Sequence, residues 1–125
     1  MEDITKKIIF LPRVFRNIMN KSIFELLEET GYFQVHSKIS EEVIEKQLKK
    51  YPEYVNEWIS YSEDKRGDSG YYIKREGKIY IIGYLDKQGK IQILKKTNNR
   101  VNACAIFIKK EIEDIRLRQQ YKAKE

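Results

Sequence analysis

The chain is poor in the residues that build metal cages and disulfide frameworks: it has one cysteine, Cys104, and one histidine, His36. A single cysteine closes no internal disulfide, and a single histidine beside it cannot supply the usual His/Cys zinc set. Glycine is sparse as well, and the six present never approach the G-x-x-x-x-G-K-S/T or G-x-G-x-x-G spacing of a loop that cradles phosphates. Neither a metal nor a cofactor is therefore expected. Long apolar runs are also missing. Behind Lys6-Lys7 only Ile8-Ile9-Phe10-Leu11 precede Pro12, short of the roughly 7 to 15 apolar residues of a secretory leader, so the expected location is the cytoplasm. The longest later stretch, Ile79 to Leu85, holds Gly83 and two tyrosines and falls far below the roughly 20 residues of a membrane helix. No membrane partner is expected.

What is present points to one globular domain spanning residues 1–125. Apolar residues make up 41% of the chain and charged residues 35%, enough for a core that needs neither metal nor disulfide at this length. Cys104 lies in Ala103-Cys104-Ala105-Ile106-Phe107-Ile108 and reads as a small buried hydrophobe rather than a reactive thiol. The net charge of +6 is uneven: Met1 to Leu85 carries 14 basic and 14 acidic residues, Asp86 to Glu125 carries 11 and 5. All the excess is in the last third. That asymmetry suggests an anionic partner, with a solvated helix face and a frayed tail as the plainer explanation.

The patterning predicts an α+β fold: N-terminal helices, a three-stranded antiparallel β-meander and a C-terminal helix packed on the sheet. Ile4 to Leu11 reads as a short strand or extended lead-in stopped by Pro12, after which Val14, Phe15, Ile18 and Met19 keep helical spacing. Ser22 with Glu25 three residues on has the form of a capping box, and Gly31 that of a helix stop. Ser40 repeats the cap logic, with Glu41 and Glu42 in the first turn and Lys49 and Lys50 in the last. Pro52 is placed to start a further helix whose buried side is Tyr54, Val55, Trp58 and Ile59. Ser62 to Gly70 reads as a polar loop. Tyr71–Lys74, Ile79–Leu85 and Ile91–Leu94 follow at hairpin spacing. In the middle strand Ile79, Ile81 and Leu85 share one face and Tyr80, Ile82 and Tyr84 the other, so one face meets helices and the second is either covered or an open tyrosine platform. Asn98, Asn99 and Asn102 turn the chain into a last helix. Its stripe of Val101, Cys104, Ala105, Ile108, Ile112 and Ile115 is expected to face the sheet, with Lys109, Lys110, Glu113, Arg116 and Arg118 outside and Tyr121 to Glu125 as a fraying tail.

Catalytic constellations are hard to find. Gly67-Asp68-Ser69-Gly70 spells the tetrapeptide around a serine-protease nucleophile, but such an enzyme needs two barrels, a histidine base and an oxyanion hole, and the chain has one histidine in all. Arg66-Gly67-Asp68 matches an integrin tripeptide, which has no meaning without export. His36, in Phe33-Gln34-Val35-His36-Ser37, sits in a stretch expected to be a short strand or a loop and reads as structural. Glu28/Glu29, Glu41/Glu42 and Glu63/Asp64 are adjacent carboxylates that diverge on a helix instead of converging on a substrate. The expectation is a protein that is not an enzyme.

Two charged surfaces remain as binding candidates. A basic set, Lys95, Lys96, Arg100, Lys109, Lys110, Arg116 and Arg118, near Tyr80 and Tyr84, would suit phosphate contacts and base stacking. An acidic set, Glu25, Glu28 and Glu29 with Glu41, Glu42 and Glu45, would suit a basic protein if the two helices lie side by side.

The run from Trp58-Ile59-Ser60-Tyr61-Ser62-Glu63-Asp64-Lys65-Arg66 through Gly70-Tyr71-Tyr72 to Ile82-Gly83-Tyr84 resembles small immunity proteins of bacterial polymorphic toxin systems, including contact-dependent growth inhibition. The resemblance implies a small cytoplasmic, non-enzymatic helix-plus-sheet protein that neutralises one cognate toxin domain by stoichiometric protein–protein binding. Immunity proteins that block nucleases are commonly acidic, whereas this chain has a pI near 9.3, so either a local acidic face binds or the toxin presents an acidic surface. The expected contact buries about 800 Å² on each side around one or two aromatic anchors. With Trp58 and Tyr54 assigned to the core, it is placed on Glu63, Asp64, Lys65, Arg66 and Asp68, with Tyr71 or Tyr72 as anchor. The alternatives are a small nucleic-acid-binding protein using the basic last third, and an oligomerisation domain joined through Tyr80 and Tyr84.

Overall fold

The structure, a computed structural model, describes residues 1–65 and 69–124, the side chains of 119–124 excepted. Its architecture is α+β, with six helices, a three-stranded meander and a long C-terminal helix among the described residues.

The N-terminus departs from expectation. Ile4 to Leu11 is not a strand: the chain forms α1 (Glu2–Ile9) and then α2 (Leu11–Asn17). Glu2 and Asp3 occupy the first turn of α1 and Lys6 and Lys7 the last, the arrangement the helix dipole favours. Its buried residues Thr5, Ile8 and Ile9 recur at helical spacing. A short apolar run such as Ile-Ile-Phe-Leu has no period of its own, so it serves a buried helix as well as a strand. Pro12 does not stop this segment but opens α2, where its missing N–H is not needed. The stripe expected through Met19 ends early, with Ile18 extended and Met19 95% exposed.

Further along, local signals hold. In α3 (Ile23–Glu29) both bonds of the Ser22/Glu25 capping box are present, and Gly31 follows at φ +89°, a left-handed conformation that suits glycine. Phe33 to Ser37 is helical, in α4 (Tyr32–Val35) and a 3-10 turn (His36–Lys38), rather than strand or loop. Ser40 caps α5 (Glu41–Lys50) through the Val43 N–H. Pro52 precedes α6 (Tyr54–Asp64) and accepts from the Val55 N–H at 3.2 Å. Trp58 is buried as expected, its indole N–H donating to the Ile9 carbonyl at 3.0 Å. The polar stretch begins later than predicted, because Ser62, Glu63 and Asp64 form the last turn of α6.

The sheet consists of β1 (Gly70–Glu76), β2 (Ile79–Leu85) and β3 (Ile91–Thr97), antiparallel in the order β1-β2-β3, with the outer strands longer than the hydrophobic pattern indicated. Gly77 and Gly89 take φ of +62° and +83° in the two hairpin turns. Register pairs Ile73 with Ile82 and Tyr71 with Tyr84 on the helix-covered face. The opposite face is built from three rows: Lys74, Ile81 and Lys96; Tyr72, Gly83 and Ile93; Gly70, Leu85 and Ile91. A bulge between Ile82 and Gly83 leaves Leu94 as the extra residue of β3. The tyrosine face is thus the covered one: Tyr80 belongs to the core and Tyr84 packs edge-on against Tyr71. Tyr80 and Tyr84 therefore form no open platform.

Helix α7 (Arg100–Lys124) starts at Asn99, whose side chain accepts from the Asn102 N–H at 3.0 Å. It does not pack by one stripe alone. Ala103 to Ile108 are all buried, Ile106 and Phe107 included, because this half of the helix runs between the sheet and the α5–α6 layer. The helix continues to Lys124, past Tyr121, where fraying was expected. Cys104 is fully buried, which pushes its thiol pKa up and keeps it unreactive. No helix among the described residues is long and apolar enough to cross a membrane.

Candidate functional site

The last turn of α6 runs along the free edge of β1, where the Ser62 hydroxyl accepts the Ile73 N–H at 2.9 Å. Between them lies a cleft of about 420 Å³ lined by Glu63, Lys65, Tyr71, Tyr72, Leu85 and Ile91, among others. Four of the residues expected at a partner interface therefore meet at one place. They differ in availability. Glu63 and Asp64 are exposed at the helix end, and Asp64 lines a separate hollow with Phe15, Arg16 and Tyr61. Lys65 is held inward, its ammonium 2.9 Å from a carboxylate oxygen of Glu111, a residue 3% exposed. The other oxygen of Glu111 accepts from the Tyr61 hydroxyl at 2.6 Å. Burial, with Glu111 as charged acceptor, drives the Tyr61 pKa far up and leaves the phenol a permanent donor. Lys65 is consequently a structural post, not the free interface charge expected. Arg66 and Asp68 lie outside the described residues, as does the Gly67-Asp68 half of the Gly67-Asp68-Ser69-Gly70 motif.

The two tyrosines play different parts. Tyr71 leans on Tyr84, ring centroids 4.9 Å apart, with the Lys110 ammonium 5.7 Å from its ring centre. Tyr72 lies on the open face, across Gly83 of the neighbouring strand, in the space a Cβ there would fill. Its hydroxyl is buried without a hydrogen-bond partner. Only glycine lets the ring lie down.

The basic set does not converge. Lys96 projects from the open face of the sheet, while Lys95 projects toward α7 and donates to Asn102 at 3.1 Å. Arg100 is exposed at the start of α7. Lys109 is half-buried, donating to the Tyr32 hydroxyl and the His36 carbonyl, both at 2.8 Å. Burial pushes its pKa down against the pull of Glu113. Arg116 holds Glu113 through two hydrogen bonds, and Arg118 is paired with Asp114 at 2.8 Å and with the Ser69 carbonyl. Burial acts to raise the Glu113 pKa, but hydrogen bonds from Arg116 and Tyr32 and the positive charges of Lys109 and Arg116 outweigh it and hold the carboxyl at about 2. This cluster ties α4 and the 3-10 turn to α7.

The acidic set is partly spent as well. Glu25 is in the α3 cap, Glu29 pairs with Lys21 at 2.9 Å, and Glu45 pairs with Lys49 and accepts from Asn102. No group of His, Cys, Asp and Glu among the described residues could hold a metal ion.

Sequence reasoning allowed for an open face on the tyrosine side of the sheet and missed the opposite face as a surface. Ile91 is 62% and Ile93 46% exposed, with Ile79 exposed and Leu85 half-buried beside them. The backbone of residues 91–97 bonds to β2 and makes no hydrogen bond across its outer edge among the described residues. Alternation of apolar and polar residues in Ile91-Gln92-Ile93 was the available signal. Compared with known proteins, the chain matches no family model, no curated protein and no solved structure.

Proposed function

We propose that the protein is a cytoplasmic immunity protein that neutralises a cognate bacterial toxin domain by stoichiometric binding, and that it is not an enzyme. The observation that carries this reading is the cleft between α6 and β1, where Glu63 and Tyr72 meet and open onto an uncovered apolar sheet face. An apolar centre with a tyrosine anchor and a charged rim is the composition of a protein interface. The nucleic-acid alternative is less well supported, because the cations it needs are divided between two sides of the sheet or tied up in ion pairs along α7.

The full tagged chain, captured from its native cells at moderate salt with and without nuclease, should retain a protein in stoichiometric amount after nuclease treatment. Expressing that protein alone should arrest growth, and coexpression should restore it. Ile91→Asp, a change at an exposed residue lining the cleft, should weaken the complex about tenfold or more without unfolding the chain. Growth arrest that coexpression fails to relieve would overturn the reading. So would recovery of nucleic acid alone, with binding that collapses as salt rises.

A further inference from the structure

Once the chain is folded, the positive charge has a different address from the one its linear distribution suggests. Residues 70–97, the sheet and its hairpins, carry seven Lys/Arg against two Asp/Glu, whereas residues 1–69 carry 11 against 13. Residues 98–125 carry seven against four, but α7 binds Lys109, Arg116 and Arg118 internally. In the sheet, Lys78, Lys87, Lys90 and Lys96 are exposed and make no ion pair among the described residues. Lys74 pairs with Glu76 at 3.0 Å, and Asp86 accepts the Gln88 and Lys90 N–H groups inside its turn. The sheet is the positive pole of the molecule.

That pole surrounds apolar surface. Lys74 and Lys96 flank Ile81 from either side, and Ile81 is only 4% exposed although it lies outside the core cluster. Long lysine stems cover an aliphatic neighbour while their ammonium groups stay in water. Toward Ile91 and Ile93 the face has no such cover. We propose that this open sheet face, Tyr72, Leu85, Ile91 and Ile93 within a lysine rim, docks a protein surface that is acidic at its edge and apolar at its centre. The proposal deepens the partner-binding reading above and rests on it, sharing Tyr72, Leu85 and Ile91 with the cleft. It also reconciles a basic chain with toxin neutralisation: the acid is on the partner.

A protein fits this face better than a nucleic acid. Single strands are held by aromatic rings that stand free for stacking. Here Tyr80 is in the core, Tyr84 packs edge-on against Tyr71, and Tyr72 lies against Gly83 with its hydroxyl buried. The remaining exposed side chains are aliphatic, which favours another aliphatic surface. Lysine rims then act mainly on encounter and partner choice.

The test uses the full isotope-labelled chain and three defined probes: a short peptide alternating glutamate and isoleucine, the same peptide with lysine for glutamate, and a short oligothymidylate. The expected result is that the glutamate peptide alone shifts the amide resonances of residues 72, 81–85 and 91–96. Lys74→Glu/Lys96→Glu and, separately, Ile91→Ser/Ile93→Ser should each weaken it about tenfold, with dispersed spectra showing that the variants fold. Shifts centred on residues 109–118, equal binding of the lysine peptide, tighter binding of oligothymidylate, or no shift on the sheet would each overturn the proposal. Growth rescue that fails while the glutamate peptide still docks on the sheet removes the toxin and keeps the acidic partner. Growth rescue that survives Lys74→Glu/Lys96→Glu keeps the toxin and removes this face.

Discussion

The Ser62 hydroxyl accepts the backbone N–H of Ile73 at 2.9 Å, joining the last turn of α6 to the edge of β1. Both residues are buried. An edge strand leaves alternate N–H groups unpaired, and this bond satisfies one of them inside the protein, while the edge of β3 keeps its own facing outward. Ser62→Ala should therefore cost about 1–3 kcal/mol, the penalty of a buried donor left without a partner, measured by urea denaturation. An unchanged midpoint would mean that water replaces the hydroxyl.

Glu111 organises the other side of the same junction, accepting from Tyr61 and pairing with Lys65. Removing one member of a buried ion pair strands the other charge. Glu111→Ala should destabilise the fold by about 3 kcal/mol, and Lys65→Met in that background should restore part of the loss. Strictly additive losses in the double variant would show that the two groups are uncoupled.

Gly83 and Tyr72 form a matched pair on the open face, since any Cβ at Gly83 overlaps the Tyr72 ring. Gly83→Ala should lift the ring, lower stability by about 1–3 kcal/mol and increase tyrosine exposure. Tyr72→Ala/Gly83→Ala should be less destabilised than the two single changes predict together, and a thermal-melt cycle with no coupling would refute the pairing.

Acid should release the α4–α7 tie. The Glu113 carboxyl is held at about 2, below its ordinary value of 4.5, so it contributes stability that is fully present above the unfolded value and is lost as pH falls toward 2. Discounted for the solvent that reaches the site, the contribution is about 1–2 kcal/mol. Denaturation midpoints of the native chain should fall between pH 5 and about 2, and Glu113→Gln should flatten that slope. Parallel slopes for the two chains would exclude Glu113 as its source.

Much of the secondary structure is legible because its signals are local. Ser22, Ser40 and Asn99 cap helices by reaching backbone N–H groups three residues away, and the turns at Gly77 and Gly89 need only the φ freedom of one residue. The site is legible in part for the same reason. Glu63 and Asp64 end a helix and Tyr71 and Tyr72 begin a strand, so a short connection between those elements keeps them close. What Lys65 does is not legible, because its partner Glu111 is 46 residues away.

Side-chain spacing along single segments is enough to read the fold class, the helix caps, the meander and the two residue sets that share each side of β2. Packing between distant elements is what buries Ile8 and Ile9 in a helix and surrounds α7 on all sides from Ala103 to Ile108. It also decides which sheet face stays open, the one carrying Ile91 and Ile93. The physical reason is that periodicity states which side chains lie together, while burial depends on which distant element arrives to cover them. The lysines illustrate it: their number is written in the chain, but whether each is spent on a carboxylate or left facing water was set by packing.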